Sequence, residues 1–353
     1  MANIIAEPFG KISDGTECKL FTITNAKGNQ LKICDYGCRV QSWIVKDKDG
    51  KLTDIVLGFD NVAKYEEDDS CMGGVIGRHA NRIRYGKAVI NGKEYQLELN
   101  ANEGKNHIHG GSKAFHYHLW QSEITEEGLK LTHVSPDGTA GYPGNMTVTA
   151  TFNLTDEDEL SIIYEAVCDK DTVCNLTNHA YFNLDGFQAS DVLEQKLQIF
   201  ADEITEHDED SFPTGVIRKV EGTPMDFRQL TAIGARIDDK YDQLIWGKGY
   251  DHNYIIPDWQ KDGKLRKAAY AESDKTGITM TTYTTLPGVQ LYTANYQCYA
   301  IKGKDGIAYG PRSGFCLETQ YFPNSLEHAH FPQPILLKGE VYKAKTVYKA
   351  GIK

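Results

Sequence analysis

The 353-residue sequence predicts an all-β, mainly antiparallel fold, and three observations carry that expectation. Apolar and polar residues alternate with period two over many short segments, Gly, Pro, Asn and Asp punctuate those segments, and helical periodicity is scarce. In chain order, Asn61 to Tyr65 suggests a short helical turn. Val89-Ile90 and Glu94-Tyr95-Gln96-Leu97 flank Asn91-Gly92, a pair that tolerates the positive φ angles of a type I′ turn and so predicts a tight hairpin. Met146, Val148, Ala150 and Phe152 alternate with Thr147, Thr149 and Thr151, placing one apolar face on a strand. Further strands are expected over Leu160 to Cys168, Lys196 to Asp202, Ile278 to Thr285, Phe315 to Tyr321 and Val341 to Tyr348. Leu230, Ile233, Ile237, Tyr241 and Leu244 share a face at helical spacing, which predicts one helix there. No βαβ series, linker or internal repeat interrupts the pattern, so one domain spanning 1–353 is expected, too long for a small sandwich.

Composition narrows the function classes. Thirty-eight basic against 49 acidic residues give a net charge of −11, which disfavours binding that depends on neutralising phosphates and makes nucleic acid an unexpected partner. Hydrophobic residues at 40% and a mean hydropathy of −0.47 describe a soluble globular chain without a bilayer-spanning segment, so no membrane partner is expected. The N-terminus lacks a basic region followed by an apolar run, and the eight cysteines, at 18, 34, 38, 71, 168, 174, 298 and 316, form no CxxC pair. Buried free thiols in the cytoplasm are expected.

The usual nucleotide and hydrolase signatures are missing. GxxxxGK[ST], GxSxG and HExxH are absent, and Gly73-Gly74-Val75-Ile76-Gly77-Arg78 lacks dinucleotide spacing. Four polar clusters at strand ends remain. Gly77 to Arg84 places Arg78, Arg82 and Arg84 beside Asn81, a fork of donors for hydroxyl or carboxylate oxygens, although from this cluster alone a solvated edge strand is the preferred reading. Asn106 to Gly111 carries His107 and His109, which share a face in an extended chain as in cupin metal sites. Gly110 to Ala114 supplies no carboxylate, which favours a single hydrogen-bonding imidazole over a metal and leaves exposed loop histidines as an alternative.

In the third cluster, Asn175 to Leu184, His179 is flanked by amides and aromatics able to set its tautomer and acidity. In the fourth, Gly314 to Pro323, Glu318 sits in an apolar strand on the same face as Cys316 and Gln320, where a carboxylate is costly unless it is used or the strand is a wet edge. Asp251 and Gln290, in Gly249 to Tyr254 and Leu286 to Asn295, would suit adjacent sugar hydroxyls.

In combination these stretches resemble the aldose 1-epimerase (galactose mutarotase) family. The likeness runs through GRHANRI at 77–83, NHIHGG at 106–111, SPDGTAGYPGN at 135–145, NLTNHAYFNL at 175–184, GYDHNY at 249–254, PGVQLYTAN at 287–295 and ETQYFPN at 318–324, in the family's order. It implies a large antiparallel β-sandwich of the galactose mutarotase-like type, with a few short helices and a sugar cleft. It further implies that His179 is a general acid at the ring oxygen of a hexose such as galactose or glucose, and Glu318 a general base at the anomeric hydroxyl. Ring opening, rotation about C1–C2 and reclosure then exchange the anomers, with no cofactor because no electron moves; no metal is expected either. By the same resemblance Asn81 and Arg82, His109, Asp251 and Gln290 bind substrate, Arg78 is a weaker candidate, and His107 occupies a variable position. Ile108, His79 and Ala294 depart from residues usual in the family. A monomer or homodimer is expected. Three alternatives stand beside this reading: an epimerase of hexose 6-phosphates using Arg78, Arg82 and Arg84, a silent carbohydrate-binding protein, and a metal-dependent cupin-like isomerase.

Overall fold

A computed structural model describes residues 3–297 and 299–353, so that Cys298 lies outside the described residues. The seven described cysteines are all buried and unpaired. The chain forms three principal antiparallel sheets, consistent with the all-β expectation. Asn3–Lys11, Glu17–Thr24, Gln30–Cys34, Arg39–Lys46 and Leu52–Asp54 follow one another as a five-stranded meander. A nine-stranded sheet takes up Gln121–Thr125, Gly128–Ser135, Met146–Leu154 and Glu159–Cys168 in sequence, then Val341–Ile352, Ile278–Thr284, Arg266–Glu272, Lys196–Ile199 and Thr231–Ala232. The C-terminal strand is thus a central one, hydrogen-bonded to Glu159–Cys168 on one side and to Ile278–Thr284 on the other.

A second five-stranded sheet carries the site, in the order Pro213–Lys219, Glu203–His207, Asp251–Ile255, Gly288–Tyr292 and Cys316–Gln320. Every residue of its last two strands is buried, because both faces are covered. Alternation sorts their side chains. Val289, Leu291 and Leu317 point into the main hydrophobic cluster, which also takes in Phe21, Trp43, Met280 and Tyr348. Burying a side chain of this size contributes ~1.5–3 kcal/mol. Thr319 meets Thr346 at 2.5 Å through their hydroxyls, and the Tyr348 hydroxyl donates to the Leu317 carbonyl at 2.8 Å, so the C-terminal strand underlies the site strand. Gln290 and Glu318, directly opposite each other in the ladder, face the other way.

Local expectations are met with two differences. Asn91 and Gly92 take φ of 49° and 80° between Lys87–Ile90 and Lys93–Gln96, as the hairpin reading requires. Val62–Glu67 is a short helix whose N-cap, Asn61, accepts from the Lys64 amide at 3.2 Å. The helix expected from Leu230 to Leu244 does not form as one element. Ile233 N donates to Gln195 O at 2.9 Å and Gly234 N to Leu193 O at 2.8 Å, so sheet pairing captures the first half, and only Asp242–Gly247 is α-helical. The strand expected over Lys196 to Asp202 ends at Ile199. Among the described residues, no helix is long and apolar enough to cross a membrane.

His79 is fully buried, and neither ring nitrogen has a hydrogen-bond partner among the described residues. Burial pushes its pKa down to about 3, so the ring is a neutral filler with two unmet polar atoms. Leaving a buried polar group unpaired costs about 1–3 kcal/mol, so His79→Val, close to it in volume, is expected to raise unfolding stability by ~1 kcal/mol. Urea denaturation of the two proteins checks this; a less stable variant would refute it.

Candidate active site

The site sheet supplies the floor of a cleft of about 410 Å³. Asp251, Gln290 and Glu318 come from three adjacent strands, in a register that sets Asp251 opposite Tyr292, Asn253 opposite Gln290, and Gln290 opposite Glu318. Gln290 therefore lies diagonal to Asp251, and its Nε2 donates to Asp251 Oδ1 at 2.6 Å. Asp251 Oδ2 faces Arg82 Nη2 at 3.6 Å. Gln290 is buried on the same sheet face as Glu318 and holds Asp251 in place.

Opposite the sheet, loops bring in the histidines. Arg82-Ile83 pairs antiparallel with His107-Ile108, and the His109 amide donates to the Asn81 carbonyl at 3.1 Å. The Asn81 amide returns a bond to His109 Nδ1 at 3.1 Å. A backbone N–H can only donate, so Nδ1 is unprotonated and the ring hydrogen of His109 is on Nε2. Gly110 follows with φ of 94°, and a Cβ there would lie 1.9 Å from the Gly77 carbonyl oxygen, so only glycine closes this corner. His179 ends the Thr177–Asn178 strand, which pairs with Val75–Ile76, and its backbone exchanges hydrogen bonds with Gly73 and Gly74. The Asn178 side chain braces the turn, donating to Gly73 O at 2.7 Å and accepting from the Ala180 amide at 3.0 Å.

These elements place His179 Nε2 3.7 Å from Glu318 Oε1. His179 is 5% exposed and Glu318 2%, and Glu318 Oε2 has no protein partner. The His179 ring stacks on Tyr181 at 5.0 Å and meets the edges of His109 and Tyr292 at 5.5 and 6.0 Å. Burial in this wall drives both groups toward neutrality. It lowers His179 to about 4, and raises Glu318 well above the usual carboxylate range, with the Asp251 charge pushing further up and Arg82 pulling back. His109 is held well below its ordinary value by burial, then by His179 and Arg82.

Neighbours in sequence have separate fates. His107 bonds to the Glu98 carbonyl at 2.7 Å and the Tyr142 hydroxyl at 2.6 Å, away from His109, because His109 turns left-handed with φ of 52°. The two imidazoles therefore offer no shared metal position, unlike the cupin alternative. Arg78 is buried and donates to Ser135 Oγ and to the carbonyls of Ser135, Pro136, Pro143 and Gly144, a structural clamp. Arg84 pairs with Asp208 at 2.6 Å and Glu327 at 3.3 Å. Arg82 is thus the arginine of the three that lines the cleft, and it faces a carboxylate.

His179, Cys316 and Glu318 bring ligand-type atoms within 4.8 Å of one another. The imidazole, however, meets Cys316 with Nδ1 and Glu318 with Nε2, and one metal can take only one ring nitrogen. Several lining residues carried no individual role in the sequence reading, Asp69, Ser70, Tyr117 and Tyr296 among them, and Tyr181 and Tyr292 appeared there only as members of clusters. Period-two counting from Gln290 would have placed Tyr292 on the cleft face. Nothing local marks Tyr117.

A buried acid–base pair facing a polar, aromatic-walled cleft can move protons between two oxygens of a bound polyol. In histidine-detected NMR of the free protein, His179 is expected to stay neutral as pH falls through 6 and to protonate only near the value of about 4 that burial sets. Titration of that ring near the ordinary value of about 6.5 would contradict the burial argument.

Comparison with known proteins agrees with the chemistry. A family model described as aldose 1-epimerase matches residues 19–349. Galactose mutarotase of Rattus norvegicus is 38% identical over 354 residues, covering 100% of each chain, and aldose 1-epimerase of Escherichia coli K12 is 34% identical over 341 residues, covering 95% of this chain and 96% of the other. The crystal structure of galactose 1-epimerase from Lactobacillus acidophilus superposes with a TM-score of 0.86 at 28% identity, covering 100% of this chain and 99% of that one.

Proposed function

The chain belongs to the aldose 1-epimerase family and is an epimerase acting on sugars, and from that premise we propose that His179 and Glu318 exchange the anomers of hexoses such as galactose and glucose. The observation that carries the assignment is the 3.7 Å separation of His179 Nε2 and Glu318 Oε1 inside a buried wall. The two reacting oxygens of a cyclic hexose sit on one carbon, so an acid and a base this close can address both.

The proton balance is complete within the pair. With closed sugar bound, Glu318 carboxylate takes the O1 proton while His179 imidazolium delivers one to O5. The C1–O5 bond breaks and C1=O1 forms. The open-chain aldehyde now faces neutral His179 and protonated Glu318, which is the pair of states that burial favours. Rotation about C1–C2 turns the other carbonyl face to O5; Glu318 returns its proton to O1, His179 recovers one from O5, and the other anomer is formed. Burial alone favours the neutral pair, whereas an O1 hydroxyl donating to Glu318 and an O5 accepting from His179 favour the ionic pair. The two states are thereby brought close in energy, which is what reversible proton transfer needs.

Asn81, Arg82, His109, Asp251 and Gln290 bind the remaining oxygens, and Gln290 also holds Asp251. Support comes from the His109 tautomer, which presents Nε2–H, and from the Arg82–Asp251 pair, whose donors and acceptors suit adjacent hydroxyls. A neutral sugar is favoured over a sugar phosphate because Arg78 and Arg84 are spent elsewhere and Asp251 opposes the remaining arginine. One hydrophobic cluster drawing on all three sheets supports a single domain over 1–353. Buried unpaired cysteines support a reducing, cytoplasmic setting.

Polarimetry of freshly dissolved α-D-glucose or α-D-galactose tests the assignment. Glu318→Gln and His179→Ala are each expected to lose about 10²–10⁴-fold in kcat with the fold retained by circular dichroism; wild-type rates in either would refute the assigned role. The active pair carries one proton, so kcat/KM is expected to be flat around neutrality. It should fall below about pH 4, where His179 in the free enzyme takes on a proton and the pair holds two, and again as pH rises through the elevated Glu318 value. A rate that declines with a single ionisation near pH 6.5 would contradict this.

A further inference from the structure

Cys316 and Glu318 stand two residues apart on the cleft face of the Cys316–Gln320 strand, and His179 spans them. Its Nδ1 lies 3.5 Å from Cys316 Sγ, and its Nε2 lies 3.7 Å from Glu318 Oε1. One strand thus addresses both nitrogens of one imidazole. The proton transfers described above use the Nε2 edge and give Cys316 no part. The thiol is fully buried, and Nδ1 faces it and the backbone of His179 itself, whose hydrogen bond pulls the ring's pKa partly back up.

Resting on the assignment of His179 as the general acid, we propose that Cys316 is a positioning residue whose sulfur accepts from His179 Nδ1–H and so leaves Nε2 as the nitrogen that gains and loses the mobile proton, facing Glu318 and substrate. A thiol suits this because its sulfur is a weak, neutral acceptor. Nδ1–H points at a sulfur lone pair in the neutral ring and in the imidazolium alike, so the ring orientation survives the reaction cycle. Burial, followed by the charges of Glu318 and Asp251, raises the thiol well above its ordinary range, and it stays protonated at working pH.

The contrast with a carboxylate brace explains why sulfur serves here. A carboxylate behind a catalytic histidine fixes its tautomer but also stabilises the imidazolium. A neutral thiol orients the ring without that stabilisation and leaves His179 a strong acid, which suits delivery of a proton to a weakly basic ring oxygen. The other groups facing His179 are Glu318, the hydroxyl-bearing rings of Tyr181 and Tyr292, His109, and the more distant charges of Asp251 and Arg39. None of these is within hydrogen-bond distance of Nδ1.

The test pairs tautomer and rate in the full-length protein. Long-range ¹H–¹⁵N correlation spectra of wild type should show His179 as the Nδ1–H tautomer. Cys316→Ser, whose hydroxyl can make the same bond, should keep that tautomer and kcat within about threefold, whereas Cys316→Ala should give a tautomer mixture and a kcat lowered roughly 10-fold with KM little changed. A purely structural role for the thiol would lower thermal stability while leaving the tautomer untouched. A wild-type proton on Nε2, or a Cys316→Ala protein with unaltered tautomer and kcat, would overturn the proposal. Full activity of His179→Ala would instead sink the catalytic assignment, and the NMR result would still decide whether Cys316 sets the ring.

Discussion

The site depends on holding one ionisable proton between two groups taken out of water. Glu318 and His179 are each expensive to charge when buried, so together they occupy a neutral state that differs from the ionic one by a single proton transfer. Neither group could be moved far without losing that balance. Outward displacement would return ordinary acidities, and wider separation would stop one sugar from bridging them.

The rest of the molecule makes that burial rigid. Leu317 and Thr319 anchor the opposite face of the Glu318 strand against Thr346 and Tyr348 of the C-terminal strand, so the carboxylate is mounted on a sheet packed from below. His179 comes from a loop, a less rigid support, and there the structure adds braces: Gly73 and Gly74 through the backbone, Asn178 through its amide, and the Tyr181 ring along its face. Asp251 is held by Gln290, and His109 by the Asn81 amide. Asp251, His109 and the turn that carries His179 thus each have a polar group bracing them, as positioning to within a fraction of an ångström requires.

The pairs His107/His109 and Arg78/Arg82 show how the fold sorts similar residues. The left-handed turn at His109 sends its ring to the cleft, while His107 is consumed by Tyr142 and the Glu98 carbonyl. Arg78 spends its donors on four carbonyls and a hydroxyl of the 135–144 segment, and Arg82, four residues on, keeps a face toward Asp251. Chemical type alone could not make these distinctions, because the deciding partners lie from 9 to 169 positions away.

Much of the strand content was legible in the sequence, because period-two alternation reports directly which residues face a core. The same pattern placed Glu318 in an apolar strand, where its cost pointed to use, and the ordered motifs pointed to the family. The hairpin at Asn91-Gly92 was equally local. Tertiary structure alone decided what depends on distant pairing. It split the helix expected at Leu230 to Leu244 by tying Ile233 and Gly234 to Gln195 and Leu193, and it joined Gln290 to Asp251. It also brought Tyr117 into the lining and laid His179 across Cys316 and Glu318. Alternation along one segment carries the face a residue occupies; it carries no information about the element that packs against that face, and it is that second element which sets burial, acidity and reach.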